Sequence, residues 1–322
     1  MATTLRIAII GASGYSGAEL VRILSKHPHV RISHLAADSA AGKELAELYP
    51  ALRGLDLPRL EKLTAADLAG QADLAFLALP HTESMKMAPA LLQAGLKVID
   101  LSGDLRLQDR TAYEAFYKAG AAEPALLKEA VYGLSEIYGV KIAQARLVAN
   151  PGCYTTTSIL ALYPLMKAGL LKPDSIIIDA KSGVSGMGRK VLAANTFCEV
   201  DGNFSAYKVA GTHQHIPEIE QELSEAAGES VRVSFTPHLL PLNRGILATS
   251  YGSPTRALDE AVLQACLADF YRDKLFVRVF KGAEMPNLRA VVGTNVIEIA
   301  ARFDARAQRV IVFSAIDNLV KG

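Results

Sequence analysis

The sequence predicts an α/β chain in two parts: a doubly wound parallel sheet first, then an α+β domain on a mostly antiparallel sheet. Three observations carry that prediction. Apolar runs of strand length alternate with helical periodicity through the first half, a glycine-rich turn follows the very first strand, and strand-like runs crowd together beyond residue 153. Strands that alternate with helices fold as parallel βαβ units, whereas clustered strands pair mainly antiparallel.

Leu5-Arg6-Ile7-Ala8-Ile9-Ile10 reads as a buried strand and runs directly into Gly11-Ala12-Ser13-Gly14-Tyr15-Ser16-Gly17. Residues 18–24 then have helical periodicity and stop before Pro28. Strand, glycine loop and helix in that order seat a dinucleotide pyrophosphate on the helix N-terminus, where free N–H groups face it and glycines permit close approach. Gly11, Ser13, Gly14, Tyr15, Ser16 and Gly17 are therefore candidate cofactor contacts of a Rossmann-type domain. The spacing is Gly-x-x-Gly-x-x-Gly; a plain glycine turn is the alternative, and its position after the first strand argues against it.

A second strand is expected over 30–37, and the residues after it bear on the ribose. Asp38 would accept from a free 2′-hydroxyl, as in NAD, whereas Ser39, Gly42 and Lys43 would surround a 2′-phosphate. Further strands at 73–79 and 97–101, with a helix from about 84 to 94, continue the alternation. In such sheets ligands lie beyond the carboxyl ends of the strands, which brings Pro80-His81-Thr82 and Ser102-Gly103-Asp104 to the cofactor. Pro80 and Ser102 join the candidate contacts; His81 either touches the ligand or only neighbours a helix start.

The segment Asn150-Pro151-Gly152-Cys153-Tyr154-Thr155-Thr156-Thr157 places a cysteine where a loop breaks into a helix expected through 156–167. The positive end of a helix dipole and free backbone N–H groups favour the thiolate, so Cys153 is a candidate nucleophile. A small buried hydrophobe at a tight turn is the alternative. Strand-like runs follow at 175–180, 231–235, 246–250, 276–280 and 295–299, with a long helix over 258–272. The domain boundary therefore falls near 150–153, a junction of the kind that favours ligand sites.

Three polar segments of the second half look chemical. Ser182-Gly183-Val184-Ser185-Gly186-Met187-Gly188-Arg189-Lys190 is a glycine-rich loop ending in two cations, suited to an anionic group or else simply solvated. Gly211-Thr212-His213-Gln214-His215-Ile216-Pro217-Glu218 sets two histidines just before a helix. No third and fourth ligand stand at zinc spacing, so no metal is expected; general acid/base work is the better use, with His215 favoured as the base and His213 as its neighbour or a cofactor contact. Residues 235–245 read as scaffold with one anion-binding cation, Arg244.

Composition narrows the partners. The 322 residues are 50% hydrophobic with net charge +1, and phosphate-backbone or anionic-membrane binding needs concentrated basic charge. No basic-then-apolar leader opens the sequence, so the expected address is the cytoplasm. Cys153, Cys198 and Cys266 are too few and scattered for a disulfide framework or a Cys-x-x-Cys metal site. A nucleotide loop, a junction cysteine and a histidine together imply a thiolate that attacks an activated acyl group or aldehyde, with hydride exchanged at the resulting thioester or thiohemiacetal.

These motifs resemble the N-acetyl-gamma-glutamyl-phosphate reductase family of the semialdehyde dehydrogenase group. The likeness spans nearly the whole chain: the 11–17 loop, Leu77-Ala78-Leu79-Pro80-His81, Asp100-Leu101-Ser102-Gly103-Asp104-Leu105-Arg106-Leu107, Tyr132-Gly133-Leu134-Ser135-Glu136, Asn150-Pro151-Gly152-Cys153-Tyr154, Ser182-Gly183-Val184-Ser185-Gly186, residues 213–218, Thr236-Pro237-His238-Leu239-Leu240-Pro241 and Asp317-Asn318-Leu319-Val320-Lys321-Gly322.

The resemblance implies NADPH-dependent reduction of N-acetyl-L-glutamyl 5-phosphate to the 5-semialdehyde with release of phosphate, in arginine biosynthesis. It implies Cys153 as nucleophile, one of the two histidines as acid/base, and a homodimer or homotetramer formed through the second domain. Arg106, Asn150, Ser182, Arg189 and Glu218 become candidate substrate contacts, the arginines because guanidinium forks match phosphate and carboxylate, and Gly186 and Asn318 join the candidate cofactor contacts. Expected domains are 1–152 for NADP, completed by about 314–322, and 153–313 for catalysis and oligomerisation. The family pattern runs past Gly322 into a helix that returns to the nucleotide domain, so that helix is expected to be missing from this sequence. Rival readings are a reductase of an aspartyl or carrier-bound aminoadipyl phosphate, and a nucleotide-sensing protein without turnover.

Overall fold

A computed structural model describes residues 4–322, so the first three residues of the expected 1–152 domain lie outside the described residues. The chain divides into two compact units, Met1–Pro151 and Gly152–Gly322. The first holds a sheet of seven strands, all parallel: β1 (Leu5–Ile10), β2 (Val30–Ala36), β3 (Leu60–Glu61), β4 (Leu74–Leu77), β5 (Lys97–Asp100), β6 (Val131–Tyr132) and β7 (Leu147–Ala149). Their order is β3-β2-β1-β4-β5-β7-β6, so the order reverses beside β1, whose carboxyl end carries the glycine loop.

Strand β1 shows why such a sheet reads as an unbroken apolar run. Side chains alternate between faces, and both faces are covered. Ile7 and Ile9 pack with Val21, Ile32 and Leu35 in one cluster, whereas Ala8 and Ile10 pack with Ala75, Leu77, Leu91 and Val98 in another. The doubly wound expectation therefore holds from residue to sheet.

The second unit has a mixed sheet formed by β8 (Ile176–Gly183), β9 (Ser205–Ala206), β10 (Val233–Leu240), β11 (Ile246–Gly252), β12 (Val277–Val279), β13 (Ile297–Asp304) and β14 (Arg309–Ile316). Its order is β12-β13-β14-β11-β8-β10-β9; only β12–β13 and β8–β10 pair parallel, so the sheet is mostly antiparallel as expected. The segment 314–322, expected to complete the nucleotide domain, instead ends β14 and turns within the second unit.

Helix Cys153–Lys167 runs through the core of this unit, and every residue from Tyr154 to Met166 is buried. A helix buried all round must satisfy its polar groups internally. Thr155 and Thr156 donate their hydroxyls to the Gly152 carbonyl at 2.6 and 2.9 Å, and Thr157 to the Cys153 carbonyl at 3.0 Å. Pro164 lacks the N–H that would bond the Leu160 carbonyl. The Tyr271 hydroxyl fills that place at 2.6 Å.

Candidate active site

The candidate dinucleotide loop lies in the first unit, and its three glycines have three different reasons. Gly11 has φ +88°, and a Cβ there would lie 2.2 Å from the Ala78 carbonyl oxygen. At Gly17 a Cβ would meet the Gly11 oxygen at 2.4 Å and the Ala12 Cα at 2.6 Å, so backbone packing demands glycine there as well. Around Gly14 nothing of the protein comes closer than 3.4 Å to the same position. Gly14 is the N-cap of helix Tyr15–Leu24, which no side chain caps, and its extended φ of −77° suits any residue. A bare, uncapped helix start with a glycine that the protein's own packing does not need fits a pyrophosphate brought close to the backbone. Ser13 is anchored by its carbonyl, which accepts from Tyr49 Oη at 2.9 Å. Past β2, Asp38, Ser39 and Lys43 are all exposed.

The turns after β4 and β5 interlock. Asp104 accepts from Thr82 N at 2.8 Å, Met85 N at 3.1 Å and the Tyr113 hydroxyl at 2.9 Å, while His81 Nδ1 accepts from Gly103 N at 3.0 Å. Thr82 takes φ +75°, a left-handed strain that this network holds in place. Pro80 stays exposed beside it. Ser102 is buried, and its hydroxyl donates to Asp100 at 2.8 Å; burial pushes the Asp100 carboxyl up. Arg106 is buried too, donating Nε to the Asn150 carbonyl at 2.7 Å and Nη2 to the Leu101 carbonyl at 2.8 Å. Asn150 N in turn donates to the Asp100 carbonyl at 2.8 Å, so Arg106, Asn150 and Asp100 form one braced corner.

Cys153, the candidate nucleophile, lies in the second unit. Cys153 is partly exposed and is the first residue of its helix, with Gly152 as an extended N-cap, three residues earlier than the periodicity indicated. Glu218, fully buried, brings Oε1 to the Gly152 N–H at 3.0 Å and to the Thr155 hydroxyl at 2.9 Å. The carboxylate thus caps the helix that carries the thiol, with charge placed where the dipole favours it. Glu218 reaches there because His215 is the N-cap of helix Ile216–Ala227, putting the carboxylate in its first turn.

That same turn delivers both histidines. The Tyr154 ring, next to Cys153, packs edge-on against His213 at 5.5 Å and His215 at 6.0 Å. His213 is buried among Tyr154, Tyr207 and Phe235, and its Nδ1 accepts from His215 N at 3.1 Å. Burial, reinforced by neighbouring His215 and Lys208, pulls His213 down to about 2. His213 therefore stays neutral and fixes the backbone of His215, which keeps partial exposure. Tyr207 donates to the Tyr154 hydroxyl at 3.0 Å, and burial holds Tyr207 up at about 12.

The glycine-rich loop closes against the chain end. Asn318 is buried, accepting from Gly245 N at 2.7 Å and donating to the Ser185 hydroxyl at 3.0 Å. A Cβ on Gly186 would lie 3.6 Å from Asn318 Nδ2 and 3.7 Å from the Ser182 hydroxyl, so Ser182, Gly186 and Asn318 lie side by side. Arg189 stands exposed beyond it. Arg244 is 3.5 Å from the buried carboxylate of Asp317.

Sequence reasoning missed the Tyr154–Tyr207 pair, and Lys208 as well. Lys208 has φ +43°, donates to Gln214 and is lowered by desolvation. Its only early signal is its place five residues before His213. Among the described residues no group of three or more His, Cys, Asp or Glu is placed to hold a metal ion, and no helix is long and apolar enough to cross a membrane.

The profile of the semialdehyde dehydrogenase NAD binding domain matches residues 6–145, and that of the semialdehyde dehydrogenase dimerisation domain matches 153–318. A protein of Geotalea daltonii named N-acetyl-gamma-glutamyl-phosphate reductase is 48% identical over 318 residues, covering 99% of this chain and 92% of its own. One of the same name from Symbiobacterium thermophilum is 49% identical over 320 residues, covering 99% and 91%. Among solved structures, aspartate semialdehyde dehydrogenase II of Vibrio cholerae complexed with ASA superposes with TM-score 0.75 at 17% identity, over 99% of this chain and 95% of that one. The enzyme of Candida albicans with NADP gives 0.68 at 16% identity, over 99% and 95%; these two share the fold. Profiles over both units, and near-half identity to named reductases over almost the full length, show that the chain belongs to the semialdehyde dehydrogenase family of oxidoreductases, in its N-acetyl-gamma-glutamyl-phosphate reductase branch.

Proposed function

We propose that the chain catalyses NADPH-dependent reduction of N-acetyl-L-glutamyl 5-phosphate to N-acetyl-L-glutamate 5-semialdehyde and phosphate, through a thioester on Cys153, in arginine biosynthesis. The observation that carries the chemistry is Cys153 at the head of a buried helix, with Glu218 on its N-cap and the His213–His215 turn against its neighbour Tyr154. The names of relatives at 46–49% identity support the substrate.

In this reading His215 takes the thiol proton, because His213 is held neutral and cannot gain one near pH 7. The Cys153 thiolate attacks the acyl carbon, an S–C bond forms, and phosphate leaves with the C–O electron pair and the proton held by His215. When bound, the reduced nicotinamide supplies a hydride to the thioester carbon. The resulting thiohemiacetal collapses, releases the aldehyde and restores the thiolate. Gly11, Ser13, Gly14, Tyr15, Ser16 and Gly17 would hold the pyrophosphate, and Pro80, Ser102, Gly186 and Asn318 are the other proposed cofactor contacts. Arg106, Asn150, Ser182, Arg189 and Glu218 remain the proposed substrate set; Glu218 also braces the nucleophile helix.

NADP is the proposed cofactor, with Ser39 and Lys43 at the 2′-phosphate and Asp38 as the residue that tolerates NAD. The proposed division of labour is nucleotide binding before residue 153 and catalysis with homo-oligomerisation after it, in a cytoplasmic enzyme that meets neither nucleic acid nor membrane. The experiment is phosphate-requiring oxidation of N-acetylglutamate 5-semialdehyde, run with NADP and with NAD, for the parent and Cys153→Ser. The expected outcome is activity that prefers NADP and vanishes in the variant. Activity only on aspartate semialdehyde would move the substrate, and equal turnover in parent and variant would end the thioester reading.

A further inference from the structure

We propose that Gly322 is a positioning residue for Cys153: its missing side chain lets the 317–322 turn press against the root of the thiol. A Cβ at Gly322 would lie 2.7 Å from the Cys153 Cβ and 3.0 Å from both the Cα and the carbonyl oxygen of Asn318. Gly322 is not among the residues of positive φ, so space and not backbone conformation demands the glycine. Cys153 Cβ has no flexible length to yield, because it sits directly on the first residue of a helix whose next thirteen residues are buried. The other side of that helix start is held by Glu218 on Gly152 N and Thr155 Oγ1.

The turn carrying Gly322 is equally fixed. Gly322 N donates to the Asp317 carbonyl at 3.0 Å. The buried Asp317 carboxylate accepts from Gly293 N at 2.7 Å and Leu319 N at 2.8 Å, and Asn318 bridges Gly245 N and Ser185 Oγ. Two braced backbones therefore meet at the Cys153 Cβ, and the backbone at 322 removes part of the arc through which Sγ would otherwise swing. An added methyl must displace the thiol, the turn, or both.

The functional half of this inference rests on Cys153 being the nucleophile, and the test separates the two ideas. Gly322→Ala is expected to lower kcat by up to about 10²-fold, the scale of a misplacement near 1 Å, while the KM for the cofactor stays within about 2-fold, a change worth under half a kcal/mol. The pH profile of Cys153 alkylation by iodoacetamide, followed by peptide mass, is expected to shift. A stability cycle needs no turnover: Gly322→Ala should lower the thermal midpoint more in the parent and in Cys153→Ala, which keeps the Cβ, than in Cys153→Gly, where only the 3.0 Å contacts with Asn318 remain. Equal costs in all three backgrounds, or an alkylation profile and kcat identical to the parent, would overturn the positioning role. Turnover surviving in Cys153→Ser, with the cycle as expected, would instead remove the nucleophile and leave the contact standing.

Discussion

His213 shows how burial sets the proton affinity of a side chain. Its folded value of about 2 lies far below the ordinary 6.5, so between those limits the unfolded chain binds a proton that the folded chain refuses. Stability from this group is therefore complete above pH 6.5 and is lost as pH falls, by at most about 1.4 kcal/mol per pH unit. In His213→Asn the decline of stability below pH 6.5 should be shallower than in the parent, as read by denaturant titration at several pH values; parallel curves would show that His213 does not carry the linkage. Cys153 was legible because Asn-Pro-Gly-Cys announces a turn that opens a helix. The choice between His213 and His215 was not, because it depends on Tyr154, Tyr207 and Phe235 closing over one ring and leaving the other partly open. That Glu218 braces Gly152 was not legible either, because the bond spans 66 residues of sequence.

Among the elements, the glycine loop makes the sharpest prediction because its glycines differ in cause. Gly17→Ala should destabilise the first unit by roughly 1–3 kcal/mol or more through overpacking against Gly11 and Ala12. Gly14→Ala should fold with near-parental stability yet bind NADP more weakly, which calorimetric titration beside thermal melts would reveal; parental affinity would place the pyrophosphate elsewhere. In the buried helix of the second unit, Tyr271→Phe removes the donor that serves the Leu160 carbonyl in place of Pro164. A cost of about 1–3 kcal/mol is expected, and a loss below ~0.5 kcal/mol would mean that another group satisfies that carbonyl.

Strand β1 and its loop were readable from periodicity and spacing alone. Strand β10 is expected only to Phe235, with 235–245 as scaffold, yet it runs to Leu240 beside β8, with Pro237 opposite Ala180. Strand β14 was missed altogether. Its hairpin with β13 turns through 305–308 without glycine, and Gln308 takes the left-handed position at φ +51°.

At the scale of the molecule, the parallel sheet and the mostly antiparallel sheet both follow from how strands alternate or cluster in sequence. The allegiance of the last residues did not: β14 lies between β11 and β13, and the 317–322 turn belongs to the unit that holds Cys153. Contacts at such sequence separation leave no local periodicity to read. The first unit holds a glycine loop whose helix start no side chain caps and the second a braced cysteine, and the proposed reaction stands or falls on a covalent intermediate at that thiol. The most direct measurement is the intact mass of the protein after mixing with N-acetylglutamate 5-semialdehyde and NADP in phosphate-free buffer, followed by peptide mapping. The account predicts one N-acetylglutamyl group on Cys153, released when phosphate is added. An unmodified Cys153, in protein that turns over once phosphate is supplied, would contradict it.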